Sequence, residues 1–164
     1  MVFQSAMNSL NPVLTIESQF HDVLKTHTGM SRGAARVRAA ELLSLVDIPA
    51  ERLTAYPHQL SGGMRQRVVI AICLALNPKL LIMDEPTTAL DVIVQREILE
   101  RIHRLRQKLG FSVLFITHDL ALMVQVSDRI GIMLEGELVE VNDAQAIYRS
   151  PQHEYTRRLW ASIP

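Results

Sequence analysis

The order of apolar and polar positions divides the chain into a helical stretch and a stretch in which strands and helices alternate. Residues 13–28 space their apolar side chains for an amphipathic helix, which Gly29 closes. Ser31 caps a second helix over residues 32–46, with Val37, Ala40 and Leu43 at helical spacing. That helix stops before Pro49, because the position ahead of a proline disfavours helix. Residues 51–59 are short and interrupted by Pro57, so residues 13–60 read as an all-helical block.

After Leu60 the pattern changes. Ser61-Gly62-Gly63 opens a helix running to about Leu76, which Asn77-Pro78 ends. Leu80-Leu81-Ile82-Met83 is a short apolar run ending in acids, which predicts a fully buried strand. Asp91 caps a long helix with Ile98, Ile102, Leu105 and Leu109 in one stripe, and Gly110 closes it. Residues 111–116 form another buried strand. Residues 130–134 form a third, and Glu135-Gly136 turns it into residues 137–141 as a hairpin. Residues 143–149 and 154–161 are closing helices. Strands alternating with helices imply an α/β fold, a mostly parallel sheet flanked by helices.

Composition narrows the class. With 164 residues the chain is of single-domain size. Apolar residues at 48% and charged residues at 21% exclude a disordered chain. Lys plus Arg and Asp plus Glu both number 17, and aromatics are 5%. Bulk charge and base-stacking platforms are both lacking, so no nucleic-acid partner is expected. One cysteine makes no internal disulfide and fits a reducing compartment. The longest apolar run, residues 68–76, is well short of the ~18 residues of a membrane span. The first residues lack the basic region of a signal peptide. Met1-Val2-Phe3-Gln4 reads as the end of a strand with nothing before it, so the chain is expected to be the later part of a larger domain. An uncovered sheet edge is then expected near Met1 and along residues 80–83.

Four places carry candidate chemistry. Asp84 and Glu85 end a parallel strand at its C-terminal edge, where open α/β sheets bind ligands. Asp84 is placed to hold Mg²⁺, which takes only one or two carboxylates when it sits on phosphates. Glu85 points to the other side of the strand and could take a proton from an attacking water. The plain alternative is that the two acids cap the next turn. Ser61, Gly62 and Gly63 precede a helix, and exposed N–H groups there suit phosphate. The alternative is an ordinary serine cap with a glycine hinge. His118 follows the strand of residues 111–116 and so lies at a strand's C-terminal edge. Gln4 ends the first strand with an amide that could orient water or metal. Cys73, Met83 and Met133 read as core. The other histidines show no metal-ligand spacing, and Arg65 and Arg67 could meet a partner or phosphate, although solvated helix arginines are the commoner case.

Together these features resemble the ATP-binding subunits of ABC transporters. Leu60-Ser61-Gly62-Gly63-Met64 is similar to the family signature, with Met64 where glutamine is more usual. Residues 80–85 resemble Walker B, Thr88-Ala89-Leu90-Asp91 the D-loop, His118 the switch histidine and Gln4 the Q-loop glutamine. Phe3-Gln4 followed by Met7-Asn8-Ser9-Leu10-Asn11-Pro12 is similar to oligopeptide, dipeptide and nickel importers, as are Ser61 to Arg67 and Pro151, His153, Tyr155 and Thr156. One element of the family is missing. No glycine is followed by lysine, so no Walker A loop is present, and a polypeptide of this sequence is expected to bind ATP weakly by itself.

The resemblance implies a partial P-loop NTPase domain across residues 1–164. It contains an inserted helical subdomain at 13–60, a core at 61–141 and a C-terminal segment at 142–164. It implies ATP and Mg²⁺ as cofactors, Asp84 and Gln4 at the metal, and Glu85 and His118 in catalysis. Ser61, Gly62, Gly63, Gln4 and Asp91 would be near nucleotide. The implied partners are a second ABC ATPase subunit and transmembrane permeases, at the cytoplasmic face of the membrane. Two other readings remain: a truncated, non-catalytic chain that only pairs with intact subunits, and a soluble ABC ATPase outside transport.

Overall fold

The computed structural model describes residues 1–2, 9–86 and 92–162. It forms two compact units, Met1–Ile116 and Thr117–Pro164. It is α/β, with a small parallel sheet and several helices, as expected.

The first unit begins with helix α1 (Ile16–Thr28). Thr15 caps it by accepting the Ser18 N–H, and Gly29 ends it in the left-handed region at φ +69°. Ile16, Phe20 and Leu24, spaced four apart, are fully buried. Helix α2 (Arg32–Leu45) is capped by Ser31 and buries Ala35, Ala39, Leu42 and Leu43. Val37, expected on the inward face, is 63% exposed. The buried stripe runs through the small alanines instead, which lets α1 approach closely. Glu17 of α1 joins the two helices by pairing with Arg36 at 3.1 Å. Two 3₁₀ turns, Ala50–Thr54 and Pro57–Gln59, complete the helical block, with Leu53 and Leu60 turned into the core.

Helix α3 (Gly62–Leu74) has apolar residues around its whole girth. Such a helix has to be surrounded, and α3 touches α1, α2 and α4 while burying Val68, Val69, Ile70, Ala71 and Leu74. Strand β1 (Leu80–Asp84) pairs in parallel with β2 (Ser112–Ile116), from Leu80 opposite Ser112 to Asp84 opposite Ile116. Helix α4 (Val92–Leu109) joins them, and Gly110 at φ +72° closes it. Its buried stripe is Ile98, Leu99, Ile102 and Leu105, while Leu109 is left mostly outside.

Two expectations about the sheet are corrected here. Strand β1 is not fully buried: Val2 bridges its later half, donating to Ile82 O at 2.8 Å and accepting from Asp84 N at 2.9 Å, while Leu80 at its start is 51% exposed. Val2, Leu81 and Met83 are buried. Nor is β2 fully buried. Side chains alternate, so Val113 and Phe115 pack toward the core, but Leu114 is 50% exposed and Ile116 45%.

The second unit is built on a hairpin, β3 (Arg129–Leu134) with β4 (Glu137–Asp143). Glu135 and Gly136 both have positive φ, +50° and +87°, as a type I′ turn requires. Helix α5 (Leu120–Val126), which the apolar pattern did not reveal, precedes it and is capped by Asp119. Ile130, Ile132, Met123, Ala144 and Ile147 form the small core against helix α6 (Ala144–Arg149). Met133, expected in the core, is mostly exposed, since it alternates with the two inward isoleucines. Helix α7 (Glu154–Ala161) is tied back through Trp160, whose indole N–H donates to Ile147 O at 2.9 Å. Among the described residues no helix is long and apolar enough to cross a membrane.

Candidate functional site

Ser61 is the cap of α3, as the ordinary reading has it. Its Oγ accepts the Met64 N–H at 3.3 Å, and the helical ladder starts with Arg65 N–H on Ser61 O at 2.9 Å. The N–H groups of Gly62 and Gly63 precede that ladder and have no acceptor within the helix. They carry the positive end of the helix dipole. The cap therefore leaves the expected phosphate-facing N–H groups without a helical acceptor. Gly63 is required on packing grounds too: a Cβ there would lie 2.8 Å from Val94 Cγ1 of α4.

Asp84 and Glu85 stand at the C-terminal end of β1, both half-buried. The edge is fixed from both sides, by Asp84 N–H on Val2 O and by Glu85 N–H on Ile116 O at 2.9 Å. Glu85 has φ +42°, in the left-handed region that a residue with a Cβ avoids. Strained positions of this kind persist where the surrounding structure over-determines them, as at functional sites. No sequence pattern marked this strain in advance.

His118 lies in the second unit, between the end of β2 and Asp119, which caps α5 by accepting the Leu122 N–H at 2.8 Å. Gln4 and Asp91 lie outside the described residues. Among the described residues no group of three or more His, Cys, Asp or Glu side chains could hold a metal by itself. The donors at the β1 edge nonetheless fit Mg²⁺ that is carried mainly by phosphate oxygens, where one or two carboxylates suffice.

Arg67 is not a solvated arginine. Its Nε donates to Gly63 O at 3.3 Å, and its Nη1 donates to Val46 O and Asp47 O, both at 3.1 Å. Burial lowers its pKa and so does the nearby Arg101 guanidinium, while Asp47 and Glu97 oppose them. Beside it, Gln66 is buried at 2% exposure, and its side-chain N–H group finds no partner among the described residues. Gln66 was not singled out from sequence, and Arg67 was expected to be solvated. The available signal was the spacing of Gly63 and Arg67, one turn apart on the same helix face. Cys73 is bland as expected: its thiol donates to Met1 O at 3.4 Å, and burial pushes its pKa up.

Comparison with known proteins supports the family resemblance. The chain is 51% identical over its whole length to the oligopeptide transport ATP-binding protein OppD of Bacillus subtilis, covering 46% of that protein. It is 49% identical over its whole length to the dipeptide transport ATP-binding protein DppD of Escherichia coli, covering 51%. It is 47% identical to the glutathione import ATP-binding protein GsiA of Escherichia coli, covering 27%. The chain thus spans about half the length, or less, of the relatives it matches. The family described as ABC transporter matches residues 1–88, more than half of the chain and the part that holds the Ser61 turn and the acid-ended strand, so the chain belongs to the ABC transporter family.

Proposed function

We propose that this chain supplies the signature and Walker B parts of an ATP-binding, ATP-hydrolysing subunit that energises an importer, with peptides as the cargo class. The observation that carries the reading is the β1 edge: two adjacent carboxylates at the C-terminal end of a parallel strand that buries Leu81 and Met83, with Glu85 held at φ +42°. The peptide class rests on the names of the relatives, which include oligopeptide and dipeptide transport ATP-binding proteins.

In this reading Asp84, with Gln4, holds Mg²⁺, which supplies charge neutralisation at the β- and γ-phosphates. Glu85 accepts the proton of the attacking water, and His118 holds the γ-phosphate oxygens. The N–H groups of Gly62 and Gly63, with the Ser61 hydroxyl, receive the γ-phosphate of an ATP held by a second ABC ATPase subunit. Asp91 lies near the nucleotide at the same junction. Residues 13–60 dock the permease subunits, which places the chain peripherally at the cytoplasmic face of the membrane.

The test exchanges the matching segment of the Bacillus subtilis oligopeptide transport ATP-binding protein for this chain, with and without Glu85→Gln. The amide keeps the shape and cannot accept a proton at neutral pH. ATP binding is expected to persist while phosphate release is lost. Turnover of the variant within a few-fold of the unsubstituted chimera would remove Glu85 from the role of base.

A further inference from the structure

The start of α3 is held from behind. Arg67 lies one turn after Gly63, and a helical side chain leans toward the N-terminus, so Arg67 runs back along its own helix. Its three bonds, to the carbonyls of Gly63, Val46 and Asp47, join the first turn of α3 to the end of α2. Carbonyls at a helix C-terminus have run out of helical partners and carry the negative end of its dipole. A guanidinium suits this place because its donors form a rigid planar fork, whereas an ammonium is a single point.

The far side of the clamp is fixed as well. Asp47 has φ +48°, and its carboxylate pairs with Arg101 of α4. That pair leaves Arg101 mostly buried, and its Nε finds no partner among the described residues. Gly63 meanwhile stands against Val94 of the same helix. The glycine turn is therefore set between the end of α2 and the face of α4.

We infer that Arg67 is a positioning residue: by tying the Gly63 carbonyl to the end of the helical block it fixes the Gly63–Met64 peptide plane, and through that first turn it holds the Gly62 and Gly63 N–H groups in place. The inference rests on the phosphate-facing role of this turn proposed above. In it Arg67 acts through backbone oxygens, the acceptors of all three bonds described.

The first test is amide hydrogen exchange on the 164-residue chain, read at Met64 and Arg65, whose N–H groups bond to Ser61. Arg67→Ala is expected to speed exchange there by about tenfold or more while residues 70–74 keep their protection. Arg67→Lys keeps the charge and most of the stem, and is expected to give a smaller rise; it carries the test if the alanine variant fails to fold. Unchanged exchange at both amides overturns the proposal. The second test places Ser61→Ala, Arg67→Lys and the pair in the chimera described above and measures ATP hydrolysis. If both residues act through one turn, the double variant falls no lower than the worse single variant, within about threefold. Losses that multiply overturn the proposal, because Arg67 then acts elsewhere. A loss with Ser61→Ala and none with Arg67→Lys removes the inference and spares the reading of the turn. No loss with Ser61→Ala removes that reading, and the inference with it.

Discussion

Residue 85 offers a measurement in which backbone strain and chemistry separate. At φ +42° the left-handed region costs a residue with a Cβ roughly 1–2 kcal/mol. Glycine bears no such cost, but its freer unfolded chain gives back roughly 0.5–1 kcal/mol. Glu85→Gly is therefore expected to be more stable than Glu85→Ala by about 0.5–1 kcal/mol. Both substitutions remove the carboxylate, so the lost side-chain contacts drop out of the difference. At a right-handed helical position the order reverses, with alanine ahead by about 1 kcal/mol. The sign of the difference is thus diagnostic. Urea unfolding of the two variants at equal slope would show it as a midpoint difference of about a few tenths molar. An alanine variant as stable as the glycine variant, or more so, would refute the strain argument. Neither variant is expected to support ATP hydrolysis in the chimera, so added stability at this edge comes with lost chemistry.

Three further outcomes are expected. Phe20→Ala, at a fully buried position between α1 and its neighbours, should destabilise the first unit by roughly 3–5 kcal/mol, and a loss under 1 kcal/mol in denaturant unfolding would contradict that packing. Gly63→Ala should cost roughly 1–3 kcal/mol by overpacking against Val94, and Val94→Ala added to it should recover part of the loss; simple additivity in the thermodynamic cycle would show that the two do not meet. Burial raises the pKa of Glu140, but the N–H groups of Gln152 and His153, each 2.9 Å from its carboxylate, outweigh it and leave the pKa lowered. A lowered folded-state pKa contributes stability above the ordinary carboxylate value and loses it as pH falls through the lowered one. The stability gap between wild type and Glu140→Gln should be full at neutral pH and close below about pH 4, whereas a gap constant through that range would disprove the linkage.

The elements were legible where local chemistry fixes them. Ser31 and Ser61 are side-chain caps, Gly29 and Gly110 are left-handed stops, and Glu135-Gly136 forms the expected turn, whereas the first helix, expected from residue 13, starts only after its cap Thr15. What failed was burial. An apolar run does not say whether one face or both are covered, so β2 and Met133 were expected to be buried and are not. Val37 was misplaced because its neighbours Ala35 and Ala39 carry weak apolar signals, yet they are the residues small enough for close helix contact. Helix α5 is too short for a periodic pattern to stand out. At the site, Ser61, Gly62 and Gly63 behaved locally as their types suggest. The bonds of Arg67 to Val46 and Asp47 were not read because those partners are backbone carbonyls just past the end of α2, and the spacing within α3 points only to Gly63.

The parallel bridge that seats Val2 beside Ile82 and Asp84 bears on the order in which the chain acquires structure. The helical block between them closes on itself through near neighbours, such as Glu17 with Arg36 and Ile16 with Ala55. Contacts of that range form early, while pairings across a long loop carry a larger closure entropy and form late. During synthesis, residues 13–60 can collapse as soon as they emerge. Val2, made before the block, has no place to dock until β1 arrives. A segment made before the helical block is in this way secured after it, and a stall just before Leu80 would leave a folded helical block with Val2 still undocked.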